Sequence, residues 1–347
     1  MNQKQLTYRE LATFCDQTAM ILKSGISISE GLEIMASDAQ TEDGKLILQL
    51  ASSGMNNGDR LSESLKNCNV FPQYMIDMIF IGETTGHLDD VMDSLSKFYV
   101  KEDSTNSNIR SAIRYPLIMI AMMIIVILVL MIKVLPIFNQ VFMQLGSEIT
   151  GITKGIMNTG AWISRYSIVL VGIIAVLAVF ALYCIKSHQG RKLAKKIGNE
   201  FFVTKNLFKQ IAASRFADGM AMTLSSGLDT EKSLEMVERL VDHPEYKKKI
   251  QKCKDLIADG ENFGDALVHS QIFSGMYGRM VSMGFKTGNA DEIMNKISAE
   301  YADEIENSIN EKVSLIEPTL VSVFSIIVGF ILLSVMLPLM GIMSSIG

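Results

Sequence analysis

The chain has 347 residues, 48% of them apolar and 20% charged, with a formal net charge of −5. This is too apolar for a disordered chain and unusually apolar for one soluble globule, and the length allows two or three structural units. The negative total excludes bulk attraction to nucleic acid as the organising theme. Charge is also segregated. Residues 1–114 carry 10 Lys/Arg and 16 Asp/Glu, and residues 186–317 carry 19 and 20. Residues 115–185 carry only three and one, and residues 318–347 carry none.

The N-terminus, MNQKQLTYRE, is polar and has no apolar core of a cleaved signal peptide. From Leu11 to Lys23, apolar residues recur at three- and four-residue spacing, which predicts a helix ended by Gly25 in a left-handed turn. Ser29 is the expected N-cap of the next helix, with Leu32 and Met35 on one face. Lys45–Met55 predicts a third helix, broken at Gly58-Asp59. A short helix follows from Ser62, ending near Pro72, and Tyr74–Ile81 continues as a helix to Gly82. Thr85-Gly86 reads as a turn, and a further helix starts at Leu88, its early Asp89-Asp90 suited to the positive end of a helix dipole. No period-2 strand of useful length is present.

Three stretches are long and apolar enough to span a bilayer: Tyr115 to Ile132, Tyr166 to Ile185 and Pro318 to Met343. Lys97, Lys101, Arg110 and Arg114 precede the first, and Lys186, Arg191, Lys192, Lys195 and Lys196 follow the second. The intervening loop offers only Lys154 and Arg165. The positive-inside rule then places residues 1–114 and 186–317 in the cytoplasm and the C-terminus outside.

The two charged blocks are copies of each other. Shifted by 202, FCDQTAMILKSG at Phe14–Gly25 lies over FADGMAMTLSSG at Phe216–Gly227, and MIFIGETTGHLDDVM lies over MVSMGFKTGNADEIM. Over 103 aligned positions 25 are identical without a gap, far above chance, so the unit is one helical domain followed by one membrane helix. The shared core pattern is Phe14, Leu22, Leu32, Leu65 and Phe71, recurring as Phe216, Leu224, Leu234, Leu267 and Phe273. The expected fold is an all-α membrane protein with two repeated cytoplasmic helical bundles of about six helices each and three transmembrane helices. Its parts are a first domain (1–114), a first span (115–135), an external loop (136–165) and a second span (166–185). A second domain (186–317) and a third span (318–343) complete it. Gly25, Gly82, Gly86, Gly227, Gly284 and Gly288 are the structural turn positions, and Pro116 and Pro318 open membrane helices.

Chemistry-bearing motifs are missing. Cys15, Cys68, Cys184 and Cys253 are scattered, without metal-ligand spacing, and read as small buried apolar residues. GFKTG at Gly284–Gly288 has no glycine directly before Lys286 and is not a P-loop. The spans hold no Asp, Glu or His, which argues against an intramembrane protease, a proton relay or a permease, the rival functional class. His87, His188, His243 and His269 sit in polar sequence and read as solvated. The sequence thus predicts no catalytic, cofactor-binding or metal residue.

The duplication, the three spans in this order and the phrase GETTGHLDDVM resemble the type II secretion F family. Its LxxG…L pattern falls on Leu22, Gly25 and Leu32 and again on Leu224, Gly227 and Leu234. Its GExxGxL turn falls on Gly82, Glu83, Gly86 and Leu88, and its helix-opening proline on Pro116. The second copy departs, with Phe285 for Glu83 and Ala290 for Leu88. The resemblance implies a non-enzymatic inner-membrane platform and a homo-oligomer. Its implied partners are a cytoplasmic assembly ATPase, pilin or pseudopilin subunits, other inner-membrane assembly proteins and the lipid bilayer. Some members hold a divalent ion with carboxylates one turn apart after the TG turn. Here Asp93 is followed by Lys97, and Asn295 by Ala299, so an i,i+4 ion pair is expected instead. Glu83, if exposed, is the candidate contact for a basic partner surface.

Overall fold

The computed structural model describes residues 5–134, 136, 137, 140 and 204–346. The expected second span, residues 141–165 of the external loop and the basic stretch Lys186–Lys196 lie outside the described residues. So do Cys184 and His188. No strand occurs among the described residues. The first copy folds as α1 (Tyr8–Lys23), α2 (Ile28–Ser37), α3 (Glu42–Asn56), α4 (Leu61–Cys68), α5 (Gln73–Thr85) and α6 (Leu88–Val129). The second folds as α7 (Lys205–Ser225), α8 (Thr230–Leu240), α9 (Pro244–Ala258), α10 (Phe263–His269), α11 (Gly275–Thr287) and α12 (Ala290–Ile346). From α2 onward each helix starts 202 residues before its counterpart, the offset already written in the sequence.

Local chemistry explains the boundaries. A capping box starts α1: Thr7 Oγ1 accepts from Glu10 N–H, and Glu10 Oε2 accepts from Thr7 N–H. The N-cap of α2 is Ser27, not Ser29, which hydrogen-bonds Asn56 on α3 instead. The expected turn at Gly86 is present, with φ +78°, and Gly288 matches it at +81°. These positions close α5 and α11 in the left-handed region, where a side chain is strained.

Gly82 and Gly284 are not turns. Each lies inside its helix, which runs three residues further, to Thr85 or Thr287. A Cβ on Gly82 would stand 3.0 Å from the Leu88 Cα, and one on Gly284 2.8 Å from Ile293 Cγ1. Both glycines are there because the antiparallel neighbour packs directly on the backbone.

The described residues of Met1–Asn108 and Phe202–Asn307 form one compact unit. Its cores repeat. Phe14 and Phe71 pack with ring centres 5.1 Å apart, and Phe216 and Phe273 at 5.6 Å. Leu32, Leu65, Leu234 and Leu267 are fully buried, while Leu22 and Leu224 only flank the two cores. Cys15, Cys68 and Cys253 are buried free thiols, and burial raises the Cys253 thiol to about 11.

Ile109–Phe201 and Ser308–Gly347 make up the second unit. Its described parts are the later turns of α6, a π-helical turn at Leu130–Val134, and the later turns of α12. Both helices are long and apolar enough to cross a membrane. Ile118, Met122, Ile125, Ile326 and Phe330 are exposed, so no protein core accounts for their apolarity. Pro116 and Pro318 do not open these helices. They lie inside α6 and α12, which begin in the bundles at Leu88 and Ala290. A proline removes one backbone donor, a defect that apolar spans tolerate when neighbouring groups compensate. Beside it, the Tyr115 hydroxyl donates to Glu317 at 3.4 Å; the two residues occupy the same place in the repeat.

Candidate functional site

The second copy packs against α5 and α6 of the first through α7 and α8. Met222 is buried in the first copy's core cluster, and Met236 and Leu240 pack on that cluster. The Tyr74 hydroxyl lies 3.7 Å from Met222 Sδ. Around this apolar centre, among the described residues, run three ion pairs, each with an acid on one copy and a base on the other. The Arg215 guanidinium donates to both carboxylate oxygens of Glu102, at 2.6 and 2.5 Å. Lys101 Nζ donates to Asp218 at 2.9 and 3.1 Å and to the Ser298 carbonyl at 3.0 Å. The Ser298 hydroxyl completes this cluster, contacting both Lys101 and Asp218. Arg239 donates to Asp77 at 2.7 Å on the more exposed side.

Burial sets the electrostatics. Desolvation raises the Asp218 carboxyl, and the neighbouring Lys101 charge opposes that rise. For Arg215, burial acts to lower the pKa, but the Glu102 charge and hydrogen bonds overcome it and hold the guanidinium charged. Losing one member of such a pair would strand its partner in a dry site. The junction can therefore hold the two bundles in one register; it has no nucleophile–base pair and no metal-ligand set.

None of these junction residues was singled out by sequence motif. One signal was available: Ser96/Ser298, Glu102/Glu304 and Asp16/Asp218 are identical in both copies. Their pairing was not legible, because the contacts join positions 113 and 117 residues apart.

Glu83 has an internal role rather than a free carboxylate. Its Oε1 accepts from Leu61 N–H at 2.6 Å, and its Oε2 accepts from the Ser62 hydroxyl at 2.6 Å and Ser62 N–H at 3.4 Å. It thus caps α4 from outside, because Arg60, at the N-cap position, has no acceptor. In the second copy Asn262 caps α10 through Gly264 N–H at 3.1 Å, and Phe285 packs on Phe263 with ring centres 4.8 Å apart. Gly264, the counterpart of Ser62, leaves room for the Phe285 Cβ.

The expected Asp93–Lys97 pair is present at 2.7 Å, and the Lys97 hydrogen bond holds the Asp93 carboxyl below its ordinary value. His87 and His269 are exposed, whereas His243 is buried against Tyr246, contrary to its polar sequence setting. Burial lowers its pKa.

The fold so described is a duplicated helical bundle whose two closing helices are long and apolar enough to cross a membrane, which is the architecture of an all-helical membrane protein. The family model for type II secretion system protein F matches residues 14–136 and 216–338, again 202 apart, and the chain belongs to this family. It is 27% identical to a type IV pilus assembly protein PilC of Myxococcus xanthus, over 97% of this chain and 81% of the relative. A PilC of Thermus thermophilus is 28% identical over 97% and 83%. A type II secretion system protein F of Vibrio cholerae is 20% identical over 95% and 82%.

Proposed function

We propose that the chain is a non-enzymatic platform in the inner membrane for assembly of a type IV pilus-like filament or a secretion pseudopilus. In this reading the cytoplasmic bundles receive a cytoplasmic assembly ATPase, and the spans contact the apolar helices of pilin subunits. The observation that carries it is the continuity of α6 and α12. Each contributes its first turns to a bundle core, through Leu88, Val91, Met92 and Leu95 or Met294 and Ile297, and runs on into an exposed apolar span. A load applied to the bundle then reaches the membrane without crossing a loop. The names of the relatives, all pilus assembly or secretion proteins, support the same role.

The rival permease reading gains no support from the described parts of the spans, which carry Lys133 but no acid or histidine. The test is deletion of the gene in its host. Loss of surface filaments or of secretion, restored by the full chain, is the expected result. Filaments and secretion unchanged in the deletion strain would refute the platform role.

A further inference from the structure

The repeat leaves one docking face uncovered. Asp218 and Met222 stand four residues apart on α7, and both are engaged by the first bundle, Asp218 by Lys101 and Met222 by Tyr74. The same two residues recur on α1 as Asp16 and Met20. There they are exposed, Met20 to 60%. Ile34 on α2, which stands in the repeat where Met236 does, is 46% exposed. Asp16 has no ion-pair partner among the described residues. The two copies thus keep the same acid-and-methionine face, covered in one and open in the other.

We propose that this open face, Asp16, Met20 and Ile34, docks a helix of a partner protein that presents a lysine or arginine beside an aromatic side chain. The chemistry is read from the covered copy, where Lys101 and Tyr74 supply those groups. Charge complementarity decides against a second copy of this chain as occupant. Its equivalent docking face would be α11 and α12, and none of the three ion pairs survives there. Asp303 replaces Lys101 and would face Asp16, Glu304 would face Thr13, and Arg279 would face Ser37. Met276, exposed there, replaces Tyr74. Two carboxylates set against each other penalise that pairing and select a basic helix. The inference rests on the platform reading and gives its cytoplasmic partner a place and a chemistry.

The test is site-specific photocrosslinking of the full chain in its host, with p-benzoylphenylalanine at Met20, at Ile34, or at the exposed control Lys66. Adducts are mapped by mass spectrometry. Met20 and Ile34 are expected to label one helix carrying Lys or Arg, while Lys66 does not. Asp16→Lys should lower the yield by about tenfold, and reversing the mapped cation to Glu should restore it. Circular dichroism on the same chains confirms that the surface variants are folded. Adducts to a second copy, no adduct, or a yield indifferent to Asp16→Lys would overturn the proposal. If the labelled strain still assembles filaments, such a result rejects this face alone and leaves the platform role standing.

Discussion

At position 83 a carboxylate accepts three hydrogen bonds from the start of α4, whereas at position 285 a phenyl ring covers the start of α10. The difference follows from the residue at the N-cap, Arg60 in one copy and Asn262 in the other. Glu83→Gln is predicted to destabilise the full chain by about 1–3 kcal/mol, since it weakens charge-assisted bonds to backbone donors. Adding Arg60→Asn should return about 1 kcal/mol, because asparagine caps α4 locally. Thermal unfolding of the full chain followed by circular dichroism measures both; additivity of the two changes would contradict the shared-cap explanation. By the same geometry, Glu83→Lys is expected to remove the acceptor at the start of α4 and so to perturb the fold as well as any partner contact. Glu83 could not be placed from the sequence because its acceptor role joins residues 22 apart. By contrast, the Asp93–Lys97 pair was legible, since helical spacing alone brings the two together.

The helices and their ends were largely legible where punctuation is local. Glycines at 25, 58, 86, 227, 260 and 288 all adopt positive φ, and six of the twelve helices end one or two residues before them. Legibility failed where a glycine serves packing instead, as at Gly82, or where two serines compete for one cap, as at Ser27 and Ser29. It failed again at Pro116, because a proline inside an apolar helix looks the same in sequence as one at its start. Gly86→Val is predicted to cost about 1–3 kcal/mol through backbone strain. Gly82→Ala should instead act by pushing α5 from α6, so a second change, Leu88→Ala, should not relieve it: the nearest atom is the Leu88 Cα, not its side chain. Melting temperatures of the three full-length variants decide this. Recovery by Leu88→Ala would show that the side chain, not the backbone, sets the limit.

In the whole molecule, the repeat register was legible because it is written as identities, while the junction between the copies was not. Arg215→Ala is predicted to destabilise by about 3–5 kcal/mol, leaving Glu102 buried without its partner, and Glu102→Leu in the same chain should recover much of it. The Lys101–Asp218 cluster adds a pH signature. Burial places the folded-state value of Asp218 above the ordinary carboxyl value of about 3.9, so this group favours the folded state more as pH falls through that raised value. Lys101→Met removes the opposing charge and should enlarge the effect. The variant is expected to melt lower than the parent at neutral pH, with the gap narrowing on acidification; a constant gap would contradict it.

Topology is tested by a reporter active only outside the membrane. It is predicted to be active after Gly151 and silent after Gly260, and the reverse pattern would sink the orientation. The central claim is that one chain meets both a cytoplasmic motor and the filament subunit. It is tested most directly by capture on the full chain in nanodiscs, using the host's purified assembly ATPase and its major pilin. Both proteins are expected to be retained, and the chain alone is expected to hydrolyse no ATP. Retention of neither protein would contradict the claim.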